Sequence, residues 1–175
     1  MGKDFDRRVL DDSWRNSFPT SFGEVNGNIE IDKGDLVILD KIDDLRNQGS
    51  STASWKLFPF SKVSGSTISL ASNRTLAKTN FFGVAAWHSD SGVTENIAVY
   101  TSGFFKYPLK NSRSIKTGGF FIPAGSGTTL YSQKIAFVNS GSTDRIGISG
   151  NWGGFQSSGE MRISTMIHPL SKSIY

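Results

Sequence analysis

From about Ile29 to its end the chain is cut into short runs of β-branched and aromatic residues by Gly, Ser, Asn and Asp, and no window holds a helical apolar period for three turns. Branched and aromatic side chains suit a pleated, half-buried surface, while the punctuating residues tolerate positive φ or bond back to the main chain. The pattern is therefore all-β, with strands expected over 35–41, 54–61, 67–70, 81–88, 96–101, 103–107, 119–123, 128–131, 134–138, 145–149 and 160–167. Ser64-Gly65-Ser66, Ser91-Gly92, Gly125-Ser126-Gly127 and Ser140-Gly141-Ser142 supply tight connections. Short strands joined this way are expected to close as a small antiparallel barrel or sandwich.

Strand alternation is clearest in the last run. Met161, Ile163, Thr165 and Ile167 share one face, and Glu160, Arg162, Ser164 and Met166 share the other, so one face is expected in the core and the other in water. A weak echo links Phe82-Gly83-Val84-Ala85 and its following strand 95–99 with Ile146-Gly147-Ile148-Ser149 and its following strand 160–163, which implies two similar hairpins.

The first 28 residues have a different texture. Asp4, Asp6, Arg7, Arg8, Asp11, Asp12 and Arg15 are mixed with isolated Phe5, Val9, Leu10, Trp14, Phe18 and Phe22. Residues 1–28 read as an extended N-terminal arm that docks its large apolar groups on something, with a short helix over Phe5 to Trp14 allowed by their helical spacing. Residues 29–175 read as a single β-domain, since 175 residues are enough to bury a self-sufficient core.

Catalytic patterns find little support. The chain has no cysteine, which removes disulfides, thiolate metal sites and thiol nucleophiles together. His88-Ser89-Asp90-Ser91 holds the residue types of a hydrolytic triad, but a triad draws its members from separate elements, so His88 reads as a surface-loop residue. Asp40-Lys41-Ile42-Asp43-Asp44 lacks the alternating ligands and central glycine of a calcium loop. Gly150-Asn151-Trp152-Gly153-Gly154 follows a strand without opening a helix, so it is not a phosphate cradle. No catalytic, metal or cofactor residue is expected.

Partners are expected to be proteins. The net charge is +4, yet the cations are scattered singly along the sequence rather than gathered in a stripe, which argues against nucleic acid. No run of roughly 20 apolar residues is present, so no membrane-spanning helix is expected. Three doublets, Phe81-Phe82, Phe104-Phe105 and Phe120-Phe121, fall in or beside strands. Consecutive strand residues face opposite sides, so each doublet sends one ring away from the domain's own core, toward a second layer or another chain.

The series GDLVIL, FFGVAAWHSDSG, NIAVYTSGFFKYPL, IKTGGFFIPAGSGTTLYSQ, RIGISGNWGG and EMRISTMI resembles the small β-domain head-decoration (cement) proteins of tailed bacteriophages. The matching positions are Gly83-Val84-Ala85, Gly103-Phe104, Pro108, Lys116 to Phe121 and Ile146-Gly147, within about Gly34 to Ile167. The chain departs from that pattern at Gly118-Gly119, where Gly-Asp is common, and in its longer arm. The resemblance implies a structural virion protein with no catalytic residues. It would be made in the host cytoplasm, cluster as a homotrimer and bind the major capsid protein on the capsid exterior.

On that reading the contact candidates are Phe5, Arg7, Arg8, Trp14, Phe18, Phe22, Phe81, Trp87, Phe104, Phe105 and Phe120. The rival expectation is a carbohydrate-binding domain of a tail fibre or adhesin that stacks sugars on Trp55, Trp87, Trp152, Tyr100 or Tyr131.

Overall fold

In the computed structural model, residues 20–40, 55–64, 68–139, 141–150 and 154–164 are described. Among them are ten strands, which form two β-layers that share a core, and one α-helix: β1 (Thr20–Glu24), β2 (Leu36–Asp40), β3 (Lys56–Pro59), α1 (Leu70–Thr79), β4 (Phe81–Ala85), β5 (Asn96–Tyr100), β6 (Ser102–Ile115), β7 (Phe120–Ser126), β8 (Thr129–Val138), β9 (Gly147–Ser149) and β10 (Gly154–Ser164). The all-β expectation holds, and one of the two layers is a closed barrel.

The first layer is a five-stranded sheet in the order β1-β5-β4-β2-β3. It rolls until its edges meet, through a parallel bridge from Val25 to Leu57 and an ion pair between Lys56 and Glu24. Alternation then sorts each strand. Val37, Leu39, Phe82, Ile97 and Val99 fill the inside of the roll, while Leu36, Ile38, Phe81 and Val84 face the second layer.

The second layer is the closed barrel β10-β6-β8-β7-β9. Its pairs are antiparallel except for one parallel contact, Leu109 to Ile135, where β6 meets β8. Phe105, Tyr107, Phe121, Leu130, Ile135, Phe137, Met161 and Ile163 fill it, with Phe121 and Phe137 edge to face at 5.5 Å. The alternation read for the last run is present as far as it is described: Met161 and Ile163 are buried and Arg162 and Ser164 exposed.

Three expectations need correction. Of the strand expected over 67–70, the described residues are not strand: Ser69 is the cap and Leu70 the first residue of α1. Ser69 caps that helix reciprocally, its Oγ accepting from the Ser72 amide at 3.0 Å and its own amide donating to Ser72 Oγ at 3.2 Å. The helical period escapes notice because the buried stripe includes a polar residue, Asn73, whose Nδ2 donates to the Thr128 carbonyl at 2.7 Å. The runs 128–131 and 134–138 are one strand, β8. Finally, β1 pairs along its whole length with β5, so Thr20 to Asn28 belong to the folded layer rather than to an arm.

The two echoing segments do form antiparallel pairs, β4 with β5 and β9 with β10. Each opens where a glycine lets the partner strand come close: a Cβ on Gly83 would lie 2.2 Å from the Tyr100 carbonyl, and one on Gly147 would lie 2.3 Å from Met161 Cγ.

Candidate functional site

The outer face of the barrel carries one unbroken lateral row. Phe104 on β6 is opposite Arg162 on β10, Arg162 is opposite Ile148 on β9, Ile148 is opposite Phe120 on β7, and Phe120 is opposite Val138 on β8. Four inter-strand steps of about 4.8 Å make the row roughly 19 Å long, measured around the curve of the closed barrel, with Phe104, Arg162 and Ile148 on three neighbouring strands. Phe104 and Ile148 are 45 % and 48 % exposed, high for large apolar groups on adjacent parts of one face.

Two guanidiniums lie on this row. Arg145 sits 3.7 Å above the Phe120 ring and is held there because its Nε donates to the Ser142 carbonyl at 2.8 Å. Arg162 stands 5.9 Å from the Phe104 ring. Asp144, next to Arg145 in sequence, is turned toward α1, accepting from Thr75 Oγ1 at 3.2 Å. Arginine over an aromatic face gains from the ring quadrupole and keeps its outward N–H groups available for a carboxylate.

The sequence-derived contact residues divide among several places. Phe104 is on the row and faces out, and Phe120 is on it, half-buried beneath Arg145. Phe105 points inward, fully buried. Phe81 and Phe82 are both buried, because β4 is central in the rolled sheet and has a core on each side; the outward ring expected of that doublet is absent. Phe22 (66 % exposed) and Trp87 (61 % exposed) belong to the first layer. Phe5, Arg7, Arg8, Trp14 and Phe18 lie outside the described residues. Sequence reasoning missed Ile148, Arg145 and Arg162. Arg162 was legible as the outward member of an alternating run, but Ile148 reads as core by residue type alone.

A second feature lies on the first layer. Ile31 and Ser89 form an antiparallel bridge through both of their main-chain amides, which sets Asp32 across from His88. His88 is clasped on both nitrogens, Nδ1 to Asp32 Oδ1 at 3.2 Å and Nε2 to Asp90 Oδ1 at 2.7 Å. The hydrogen bond to Asp90 raises the pKa of His88 above its ordinary 6.5; burial opposes it, and the charges of Asp90 and Asp32 add to the rise. Ser89 is buried while His88 and Asp90 are exposed, so the serine and histidine point to opposite sides. Glu30, Asp32 and His88 have potential ligand atoms within 4.8 Å of one another; they sit at an exposed rim, where ion pairing accounts for the arrangement.

An open cleft of about 720 Å³ lies at one side of the junction between the two layers, lined among others by Glu30, Asp35, Lys62, Tyr131, Gln133 and Lys134. Gln133 Nε2 donates to Asp35 Oδ1 across it at 2.9 Å, and Lys134 Nζ lies 5.4 Å from the Tyr131 ring. Of the other aromatic groups considered as sugar platforms, Trp55 and Tyr100 pack against the two cores and Trp152 lies outside the described residues. Among the described residues no helix is long and apolar enough to cross a membrane. Comparison with known proteins finds no matching family model, no matching curated protein and no matching solved structure.

Proposed function

We propose that this chain is a non-catalytic structural protein that assembles on a larger protein lattice, and that the lattice is the outer surface of a tailed-phage head, which it decorates and cements. The observation that carries the assembly part is the row Phe104–Arg162–Ile148–Phe120 on the outside of a closed barrel. Exposed apolar groups joined into a stripe and rimmed by arginine are the composition of an interface centre, and a closed barrel is a rigid mount for one. The phage-head part rests on the sequence resemblance, with the major capsid protein as partner and a homotrimer as the assembling unit.

The test is occupancy. Wild-type chain added to purified heads lacking it is expected to co-sediment to a saturating ratio, and a Phe104→Ser, Ile148→Ser variant, folded by circular dichroism, to bind at least about tenfold more weakly. Equal occupancy by the two proteins sinks the assignment of this face.

One observation favours a second reading. Tyr131 stands in the inter-layer cleft beside a carboxylate, an amide and lysines, the groups a carbohydrate module sets around a stacked sugar. Saturable change in intrinsic fluorescence with oligosaccharides, lost in Tyr131→Ala, would establish it.

A further inference from the structure

We infer that what docks on the barrel's outer row is an acidic segment of a partner protein, its carboxylates meeting Arg145 and Arg162 and its apolar side chains meeting Phe104 and Ile148. The inference rests on the reading of this row as an assembly face and goes on to name the chemistry of its occupant.

Charge complementarity is the main support. Among the described residues, those of 101–164, which build the barrel, carry seven Lys and Arg against two Asp and Glu; those of 20–100, which build the rolled sheet and α1, carry five against seven. The modest overall charge thus hides a molecule whose positive surplus belongs to the half that bears the exposed row. Of the two acids of that half, Asp144 is turned away from the row and accepts from Thr75 Oγ1, while Glu160 lies on β10 with Lys106 directly opposite it in the β6–β10 register. A steered, register-setting encounter with an acidic surface follows from such an arrangement.

The geometry also chooses between acidic partners. A single-stranded nucleic acid would need open ring faces for its bases and cations spaced along its phosphates. Here Arg145 already occupies the Phe120 face at 3.7 Å, and Ile148 and Val138 offer no ring at all. An aliphatic-and-arginine stripe suits a polypeptide in which carboxylates and apolar side chains alternate.

The experiment compares three proteins on purified heads at two ionic strengths: wild type, Arg145→Glu with Arg162→Glu, and Phe104→Ser with Ile148→Ser. Expected is a loss of about a hundredfold for the charge reversal, roughly tenfold for each desolvated pair, and a clear weakening of the wild type between about 50 and 300 mM salt. If the charge reversal binds like wild type while the serine variant fails, the face is an interface but its partner is not acidic, and the inference alone is overturned. If none of the three responds, the face itself has been misread.

Two side measurements close the remaining routes. Sedimentation of the chain alone, if it shows self-association that the charge reversal abolishes, makes the occupant a second copy and overturns the inference. Tighter binding to a thymidine oligonucleotide than to heads overturns it in favour of nucleic acid.

Discussion

The phenol of Tyr107, fully buried inside the barrel, donates a 2.8 Å hydrogen bond to the main-chain carbonyl of Gly34 in the turn before β2. It is a polar contact between the two layers within a largely apolar shared core. Removing only the hydroxyl with Tyr107→Phe keeps the ring's packing but strips a buried carbonyl of this donor. A loss of about 1–2 kcal/mol is expected, which for a chain of this size is a fall in Tm of a few degrees. Urea unfolding followed by tryptophan fluorescence measures it; an unchanged midpoint means the layers are held without this bond.

His88 supplies a pH dependence of definite sign. Its folded pKa is raised by the bond to Asp90 and the charges of Asp90 and Asp32, so folding favours the imidazolium. The stabilisation is complete below the unfolded value near 6.5 and is lost as pH rises through the folded value. The group is well exposed, so the effect is small. NMR titration should show the His88 signal, identified by its loss in His88→Gln, shifted above 6.5. Asp90→Asn should bring it back toward the ordinary value, and an unshifted His88 in wild type would refute the clasp.

Much of the architecture was legible because alternation is local. Met161, Arg162 and Ile163 declare their faces from the sequence, and Phe104-Phe105 divides outward and inward as two consecutive strand residues must. Phe81-Phe82 did not, since only the topology shows that β4 is central in a sheet with a core on both sides. Helix α1 was hidden by Asn73 in its buried stripe. The site was less legible than the fold: the row takes one residue from each of five strands, from Phe104 on β6 to Arg162 on β10, and long-range register, not any contiguous motif, places Arg145 on Phe120.

Ser89 is the opposite case to Tyr107. Its Oγ is buried and has no hydrogen-bond partner among the described residues, although its main chain bridges Ile31 in both directions. A hydroxyl desolvated without a bond costs about 1–3 kcal/mol by mutational measures. Ser89→Ala keeps the bridge and removes the cost, so it is expected to stabilise the fold by about 1 kcal/mol, with His88 titrating as before. A destabilised Ser89→Ala would show that the hydroxyl has a partner, such as an ordered water.

Gly147 joins the fold to the proposed contact face. A Cβ there would meet Met161 Cγ at 2.3 Å and the Arg162 carbonyl at 2.8 Å. Met161 is fully buried, and the carbonyl belongs to the strand paired with β9, so neither can give way freely. Gly147→Ala should therefore cost about 1–3 kcal/mol, the range for overpacking a filled core. The methionine and main-chain parts of the clash can be separated, because Met161→Ala removes the flexible obstacle and leaves the carbonyl. In a double-mutant cycle the cost of Gly147→Ala should be smaller in the Met161→Ala background, with an interaction energy of about 0.5 kcal/mol or more. Strict additivity would mean that the carbonyl alone sets the limit. Since β9 also carries Ile148, the single Gly147→Ala change should weaken particle binding as well, whereas Ser89→Ala, in the other layer, should leave it intact.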